Sequence, residues 1–245
     1  MQIDVVTIFP EMFPPVLNAS ILKRAQDSGI VDIQVHNLRD YTHDQRRTVD
    51  DRPYGGGPGM VMKPEPIFEA VEALRAKRGC EAHRIRQPRT CETILLSPKG
   101  EPLSAGLAKA LAALTHVLLI CGRYEGVDER VRIGLADRTL SIGDYVLTGG
   151  ELPAMVAIDA LARFIPGVLG HAQATEEESF AEGWLEYPHY TRPPTYRGMT
   201  VPEELLSGDH EAVARWRKAQ ATAQTLAVRP EMITSHQCNR SAKSL

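Results

Sequence analysis

The sequence predicts an α/β fold whose central sheet is mainly parallel. Short apolar runs typical of buried strands, such as residues 116–121, alternate along the chain with segments in which apolar residues recur at helical spacing, such as residues 64–77. Strands that alternate with helices pair in the same direction, because each helix carries the chain back to the start of the next strand. The pattern therefore favours a parallel sheet covered by helices.

The first elements of this pattern come before one long loop. A buried strand is expected at residues 3–9, a helix at 14–26 that Gly29 ends, and a second strand at 31–35. Residues 37–62 show no periodicity and include a run of glycines and prolines, which predicts a loop. Loops of this length are uncommon in folded domains unless they are functional or disordered.

The elements after the loop continue the alternation. A helix at 64–77 presents Ile67, Val71 and Leu74 on one face, and the basic stretch 79–89 is expected to be a surface excursion. The remaining elements are a strand at 93–96, a helix at 104–114, a strand at 116–121, a helix at 127–135, a strand at 139–146 and a mostly apolar helix at 151–164.

Composition excludes several classes of protein. Of 245 residues, 43% are hydrophobic and 24% are charged, as in ordinary soluble globular proteins. The net charge is −3 and the isoelectric point is near 6.3, so any contact with nucleic acid must come from local basic patches. The N-terminal apolar run contains Asp4 and no preceding basic region, which indicates a strand rather than a signal peptide. No apolar run approaches the roughly 20 residues of a membrane span, so we expect a cytoplasmic protein.

The cysteines form no recognisable pattern. The four residues, Cys80, Cys91, Cys121 and Cys238, contain no C-x-x-C pair and no spacing typical of a metal site. We therefore expect reduced thiols and no metal site formed by the cysteines.

The composition changes after residue 170. Residues 171–186 carry five glutamates and no lysine or arginine, whereas residues 215–245 carry six basic residues and one acid. This change predicts a division of the chain into an α/β domain over 1–165, a linker over 166–185 and a small helical domain over 186–245.

A candidate ligand site lies at residues 141–154, which predict a strand, a turn at Gly149 and Gly150, and the start of a helix. Two glycines at such a junction let backbone groups approach a ligand closely. Helix N-termini often bind phosphate, but the carboxylate of Glu151 would already occupy the positive end of this helix. The segment therefore favours a neutral or cationic ligand between apolar side chains, with an ordinary tight βα turn as the alternative.

Two further loops are expected beside this turn. The strand at 116–121 ends in residues 122–130, a charged and aromatic stretch that begins at a glycine, and residues 95–98 follow a third strand. Ligands of open α/β sheets bind outside the carboxyl ends of the strands. The three loops could therefore surround one small molecule.

Four motifs together resemble one family. They are RTVDDRPYGGGPGM at 47–60, CGRYEGVDERV at 121–131, SIGDYVLTGGELPAM at 141–155 and RFIPGVLG at 163–170. Over most of residues 1–230 the chain resembles the TrmD family, the bacterial tRNA (guanine-N1)-methyltransferases of the knotted SPOUT class. The resemblance implies a trefoil knot in the C-terminal part of the α/β domain, which no sequence pattern would itself predict. It also implies a homodimer that shares its active site between subunits.

The resemblance also implies the reaction, in which a methyl group passes from S-adenosylmethionine to N1 of guanosine 37 in tRNA, beside the anticodon. Magnesium is a further candidate cofactor, although no ligand cluster in the sequence points to it. The residues assigned to the S-adenosylmethionine pocket are Leu96, Pro98, Gly122, Tyr124, Glu125, Gly126, Ile142, Gly143, Asp144, Tyr145, Val146, Leu147, Gly149, Gly150 and Pro153. Core packing is a compatible alternative for the aliphatic members of this set.

Methylation at guanine N1 requires a base for the N1 proton and a cation for the charge that builds on O6. By resemblance the cation is Arg163, whose structural alternative is an ion pair with Asp159 one helical turn away. The position of the base falls on Glu178, where the family motif has aspartate. Glutamate is longer by one methylene, so three outcomes stay open: Glu178 acts after a small adjustment, Glu177 replaces it, or catalysis is impaired.

The resemblance implies that loop 37–62 contacts the target guanine, with Asp50 near the active site; a plain surface loop is the alternative. In the C-terminal region, Arg215, Arg217 and Lys218 are expected to contact tRNA phosphates.

Trp216, which lies among these cations, is assigned to packing. Residues 219–228 carry no basic side chain, which leaves the strength of tRNA binding open. The alternative function is therefore a catalytically impaired tRNA- or cofactor-binding protein of the same fold.

Overall fold

A parallel sheet of five strands lies at the centre of the fold. The structure, a computed structural model, describes residues 1–80, 90–170, 175–176, 178–181 and 183–233. Its strands are β1 (Gln2–Thr7), β2 (Asp32–Asn37), β3 (Asp50–Asp51), β4 (Val61–Met62), β5 (Cys91–Pro102), β6 (His116–Cys121), β7 (Arg138–Ser141), β8 (Thr195–Tyr196) and β9 (Met199–Thr200). Its α-helices are α1 (Pro14–Leu17), α2 (Ser20–Asp27), α3 (Pro64–Arg78), α4 (Ala105–Ala112), α5 (Glu129–Gly134), α6 (Glu151–Ala162), α7 (Glu203–Leu206) and α8 (His210–Val228).

The sheet has the order β2-β1-β6-β5-β7, and every neighbouring pair runs in parallel. Parallel neighbours need crossover connections, and helices lie in the crossovers between successive strands of this sheet. The predicted α/β fold with a mainly parallel sheet is confirmed. Within the predicted loop 37–62, the chain forms a 3-10 turn at Leu38–Tyr41 and the short antiparallel pair β3–β4.

The central strands are buried on both faces. Val5 of β1 and Leu119 of β6 belong to one apolar cluster that includes Ile158 of α6. Val6, the next residue of β1, belongs to a second cluster that includes Ile67 of α3. Successive residues of a strand point to opposite faces, so this alternation places one core on each side of the sheet.

Three predicted elements differ from the structure. The strand predicted at 93–96 is longer, because β5 spans Cys91–Pro102. The single helix expected at 14–26 is wrong, because the backbone at Ala19 is extended (φ −121°, ψ 152°) and separates α1 from α2. The strand expected at 139–146 is wrong beyond Ser141. The Ser141 hydroxyl accepts a hydrogen bond from the N–H of Gly143 at 3.2 Å and donates one to its carbonyl at 3.1 Å, which turns the chain away from the sheet.

β5 continues past its parallel ladder with β7 and crosses that strand. Leu140 of β7 pairs with Leu96 and again with Glu101. Between these two pairings, Gly100 comes so close that a Cβ atom on it would lie 2.5 Å from the backbone nitrogen of Leu140. A strand residue can pair with one residue on each of the two edges of its strand. Because Leu140 pairs with both Leu96 and Glu101, the two pairings use opposite edges of β7. Residues 97–100 therefore pass across β7 from one edge to the other.

The chain divides into two compact units, Met1–Gly170 and His171–Leu245. In the second unit, α8 begins after Asp209, whose carboxylate accepts hydrogen bonds from the N–H groups of Glu211 and Ala212 at 2.9 and 3.0 Å. The predicted linker at 166–185 spans the division, and its role stays a prediction. Within the described part of the chain, none of the helices combines the length and the apolar character that crossing a bilayer requires.

The cysteines depart from the sequence expectation. Cys80 and Cys91 form a disulfide, so the expectation of reduced thiols is wrong for this pair. Between them, residues 81–89 of the predicted excursion lie outside the described residues, as does Cys238. Cys121 is a buried free thiol, and its burial raises its pKa well above the ordinary value.

Candidate active site

A pocket opens at the carboxyl ends of β6 and β7, beside the point at Leu96 where the ladder of β5 with β6 ends, and the three loops expected from the sequence meet there. It is lined by every residue of the predicted cofactor set except Asp144, which is exposed outside the lining. The predicted residues that line it are Leu96, Pro98, Gly122, Tyr124, Glu125, Gly126, Ile142, Gly143, Tyr145, Val146, Leu147, Gly149, Gly150 and Pro153. The loops are therefore adjacent as predicted, and the role of each residue stays a prediction.

Backbone contacts hold two of these loops together. The N–H of Gly150 donates to the carbonyl of Gly122 at 2.8 Å, and Arg123 pairs with Gly149 in an isolated antiparallel bridge. A Cβ atom on Gly150 would lie 2.7 Å from Cα of Cys121, a distance at which a side chain has no room. Glycine is therefore needed here for the close approach of two backbones.

Beneath this contact lies a buried ion pair between the same loops. Nε of Arg123 donates to Oε2 of Glu151 at 2.8 Å, and the hydroxyl of Thr7 donates to Oε1 at 2.7 Å. Glu151 is fully buried as the first residue of α6. Its charge is thus neutralised by Arg123 as well as by the helix N-terminus. The carboxylate belongs to the frame under the pocket, and it blocks the helix end from binding a phosphate.

The loop that carries Asp50 packs against the same pocket. Met62 of β4 donates its N–H to the carbonyl of Gly126 at 2.9 Å, and Glu125 donates its N–H to the carbonyl of Met60 at 3.0 Å. Asp50 is the strand partner of Met62, so it lies one strand away from the Gly126 turn and is half-buried. The predicted substrate loop is therefore attached to the pocket wall through its backbone.

The two predicted catalytic residues lie outside the pocket lining. Arg163 follows the last residue of α6, whereas the pocket lies at the first turn of that helix. At 1.5 Å per residue, the two ends are about 18 Å apart. Glu178 is half-buried in a turn of the second unit, where its carbonyl accepts from the N–H of Ala181 at 3.1 Å. Glu177, the alternative base, lies outside the described residues.

Comparison with protein families shows to which family the chain belongs. A family model described as tRNA (Guanine-1)-methyltransferase TrmD matches residues 1–235. The chain belongs to the TrmD family.

Curated members of the TrmD family are similar to the chain over nearly its whole length. A tRNA (guanine-N(1)-)-methyltransferase of Dictyoglomus turgidum is 54% identical over 233 residues, which are 95% of this chain and 90% of the relative. One from Moorella thermoacetica is 55% identical with the same coverage of both chains. One from Desulforamulus reducens is 49% identical over 245 residues, which are 100% of this chain and 93% of the relative.

The C-terminal cations predicted from the TrmD resemblance lie on α8. Arg215 and Lys218 are exposed, and Arg215 forms an ion pair with Glu211 at 3.5 Å. The guanidinium of Arg217 lies 4.7 Å from the centre of the Tyr187 ring. These positions are within reach of solvent, and contact with tRNA stays a prediction.

Trp216 is half-buried on the same helix, and its ring meets that of Tyr190 edge-on at 6.2 Å. This contact agrees with its assignment to packing.

Sequence reasoning placed the Glu151 carboxylate at the start of its helix but missed the ion pair with Arg123 in this member of the TrmD family. Arg123 lies in the motif at 121–131 and Glu151 in the motif at 141–155, and neither motif by itself indicates that the two side chains pair. A charged residue beside glycines in each of two adjacent loops is a signal that could have suggested the pair. The pocket is also lined by residues outside the predicted set, namely Leu95, Ser97, Lys99, Arg123, Val127, Glu129, Arg132, Leu140, Ser141 and Thr148.

Proposed function

We propose that the protein transfers a methyl group from S-adenosylmethionine to N1 of guanosine 37 in tRNA, beside the anticodon. The observation that carries this proposal is the pocket in which the loops with the TrmD motifs meet at the carboxyl ends of β6 and β7, beside Leu96 of β5. Relatives that are 54% and 55% identical bear the name tRNA (guanine-N(1)-)-methyltransferase, which supports the same reaction. Because tRNA is modified in the cytoplasm, we expect the protein to act there.

The pocket residues fit this cofactor. When bound, S-adenosylmethionine supplies a methyl group on a sulfonium cation. Leu96 and Ile142 offer apolar walls, while the glycines at 149 and 150 leave backbone donors and acceptors accessible. The carboxylate of Glu125 provides negative charge that suits a cationic ligand, and Glu151 occupies the helix N-terminus at which a phosphate would bind. This donor set favours S-adenosylmethionine over a nucleotide.

Two side chains complete the proposed chemistry. Glu178 removes the proton from N1, and the guanidinium of Arg163 stabilises the negative charge that builds on O6. A carboxylate one methylene longer than aspartate reaches the same proton if its turn shifts slightly. Positioning the two reactants contributes most of the rate, because the transfer is an in-line displacement.

The position of Arg163 supports a homodimer. This residue lies at the far end of α6, about 18 Å along the helix from the pocket of its own chain. A guanine that touches Arg163 is therefore too far from that pocket to receive the methyl group. We propose that the pocket of one subunit faces Arg163 and Glu178 of the other.

Recognition of tRNA is assigned to two regions. Asp50 and its loop would contact the target guanine, and the cations Arg215, Arg217 and Lys218 would contact phosphates. Magnesium stays a candidate that accompanies the tRNA. Among the described residues, the cluster with metal-ligating geometry contains sulfur and imidazole, whereas magnesium prefers oxygen ligands.

The trefoil knot and a helical tRNA-binding domain at 186–245 complete the proposal. The crossing of residues 97–100 over β7 supports the knot, because a chain segment that changes edges forms a loop around the strand it crosses. Limited proteolysis tests the domain: cleavage within 166–185 should release a helical fragment from the α/β unit.

Methyl incorporation into unmodified tRNA tests the function. Transcripts with guanosine at position 37 should be methylated at N1, and transcripts with adenosine there should not. Glu178→Gln should lower the rate by roughly 100- to 10,000-fold, because the general base is lost. Glu176→Gln, which changes an exposed neighbour in the same way, is the matched control. Binding of cofactor and tRNA without turnover would favour the impaired protein, and full activity of Glu178→Gln would exclude Glu178 as the base.

Mixed dimers test the shared active site. Gly150→Ala damages the pocket and Glu178→Gln damages the base, so each homodimer should be inactive. If one subunit supplies the pocket and the other the base, half of the sites in each mixed dimer are intact. Equal mixtures that exchange freely should then recover about a quarter of wild-type activity. An inactive mixture with proven subunit exchange would show that both parts belong to one chain.

A further inference from the structure

A cluster of sulfur, imidazole and carboxylate groups lies at the amino-terminal edge of the sheet, opposite the pocket. Cys80 and Cys91 are joined by a disulfide, and Nδ1 of His116 lies 3.2 Å from Sγ of Cys80. The ligand atoms of these three residues all lie within 4.8 Å of one another. Cys80 and His116 are buried, whereas Cys91 is half-buried and gives the cluster a side close to solvent. The proposed methyl transfer uses none of them.

Three elements bring these side chains together. α3 ends at Arg78, and Gly79 takes a left-handed conformation (φ 69°) that ends the helix just before Cys80. Cys91 and His116 are the first residues of β5 and β6 and are partners in the parallel register. Register partners on neighbouring strands point to the same face of a sheet. The convergence therefore follows from regular structure.

Asp4 orients the imidazole. Nε2 of His116 lies 2.8 Å from Oδ2 of Asp4, and Arg78 donates two hydrogen bonds to the same carboxylate at 2.8 and 3.0 Å. Paired with a guanidinium, this carboxylate acts as an acceptor, so His116 carries a proton on Nε2. In the neutral imidazole, the lone pair of Nδ1 then faces Cys80. A histidine held by a carboxylate through its other nitrogen is the usual arrangement of a metal ligand.

We propose that Cys80, Cys91 and His116 bind a zinc ion when the disulfide is reduced. Two thiolates and one imidazole are the soft and borderline ligands that tetrahedral zinc accepts, and water takes the fourth position. As each Zn–S bond forms, the thiol gives its proton to solvent. The disulfide is the oxidised, metal-free form of the same set, because its sulfur atoms carry no thiolate charge.

A disulfide that only closes the segment between Cys80 and Cys91 is the competing explanation. Such a cross-link requires neither His116 nor its carboxylate partner, because cysteine geometry alone is enough. Zinc binding requires the imidazole of His116 as a ligand and is strengthened by the carboxylate of Asp4. The behaviour of the reduced protein therefore separates the two.

Metal titration of the full-length protein tests the proposal. The protein is reduced with a phosphine under nitrogen, freed of metal, and titrated with Zn²⁺ in competition with a chromophoric chelator. We expect one zinc ion per chain and the release of about two protons per ion near neutral pH. Co²⁺ in place of zinc should give an intense thiolate-to-metal charge-transfer band and the visible bands of a tetrahedral site. Unreduced protein should bind no zinc at this site.

Matched variants assign the ligands. Cys80→Ser and Cys91→Ser should each abolish stoichiometric binding, and Cys238→Ser, the same change in a cysteine beyond the described residues, should keep it. Asp4→Asn should weaken zinc binding by about 10- to 100-fold. Circular dichroism checks that each variant folds. Reduced wild-type protein without the cobalt charge-transfer band, or a Cys80→Ser/Cys91→Ser double variant that retains the zinc, would overturn the proposal. Neither result depends on methyl transfer.

Discussion

Arg123 and Glu151 form a buried ion pair that joins two glycine-rich loops, with 2.8 Å between Nε and Oε2. The Glu151 side chain is 1% exposed and the Arg123 side chain is 17% exposed. Arg123 also donates to the carbonyl of Thr148 at 3.3 Å and lies 4.6 Å from the centre of the Phe9 ring. Because the Thr7 hydroxyl of β1 donates to Glu151, the pair connects the floor of the pocket to β1 and to both loops.

Removing only one partner of this pair should be costly. In Arg123→Met the Glu151 carboxylate stays buried without its cation, which should lower the free energy of unfolding by about 3–5 kcal/mol. Urea denaturation measures this loss. Arg132→Met, the same change at an exposed pocket cation paired with Glu129, should have a much smaller effect.

The double variant Arg123→Met/Glu151→Met separates the buried charge from the lost contact. It should recover much of the stability that Arg123→Met loses, because no charge is left unpaired. A double variant as unstable as the sum of the two single variants would contradict this explanation.

Gly150→Ala should impair the cofactor pocket. The added methyl group would meet the backbone of Cys121 at 2.7 Å and that of Gly122 at 2.9 Å, so the two loops must separate. A displacement of about 1 Å at a reacting centre can cost about 100-fold, and we expect a loss of that order in kcat/KM for S-adenosylmethionine. Methyl-transfer kinetics and calorimetry measure it.

The control for Gly150→Ala is Gly106→Ala. Gly106 is exposed on α4, where the nearest atom to an added Cβ is the Ser104 hydroxyl at 4.0 Å. This variant should keep wild-type kinetics, because the same methyl group meets open space. Equal losses in both variants would show that the close approach at Gly150 does not matter.

The sequence predicted correctly those elements whose bounds are determined by residues close together in the sequence. The strand His116–Cys121 has the predicted bounds because all six of its residues are apolar or buried and the next residue is glycine. β7 ends at Ser141 and not at residue 146 as predicted, because the Ser141 hydroxyl forms hydrogen bonds with the backbone of Gly143. A serine is compatible with a strand and with a turn in which its hydroxyl bonds to the backbone, and the tertiary context determines which of the two forms.

Long-range pairings could not be predicted in the same way. The partners of Asp4 lie 32, 74 and 112 residues away in sequence, at His36, Arg78 and His116. In the sequence, Asp4 is only an interruption of an apolar run. Hydrogen bonds from these three partners offset the cost of burying the carboxylate, and only the tertiary fold brings the partners together. Cys80 and Cys91 are only 11 residues apart in sequence, but their spacing matches no cysteine motif, so the sequence did not indicate the pair.

The α8 cations should determine the salt dependence of tRNA binding. Each contact between a cation and a phosphate contributes about one unit to the slope of log K against log salt. Arg215→Ala, Arg217→Ala and Lys218→Ala should each weaken binding and lower the slope by about one unit in filter-binding assays from 50 to 200 mM salt. Lys109→Ala, an exposed cation of α4, should change neither. Unchanged slopes in all three variants would place the phosphate contacts elsewhere.

The buried Asp4 carboxylate should make stability depend on pH in the acid range. Burial alone would raise its pKa, but hydrogen bonds from His116, His36 and Arg78 outweigh burial and lower the pKa far below the ordinary value. The unfolded chain therefore binds a proton near pH 3.9, where the folded protein does not. Its stabilising contribution is complete above that pH and is lost as pH falls towards the folded-state pKa.

Asp4→Asn tests this dependence against a matched surface change. At pH 6 the variant should be less stable than wild type by about 3 kcal/mol, because a buried charge pair is broken. The difference should shrink between pH 5 and pH 3, because the unfolded wild-type chain then takes up a proton at Asp4 that the folded protein does not bind, which lowers the stability of the wild type. Asp27→Asn, in an exposed pair with Lys23, should give a small difference that does not vary in this way. Urea unfolding at a series of pH values measures both, and an Asp4→Asn deficit that stays constant down to pH 3 would show that the carboxylate does not carry the effect.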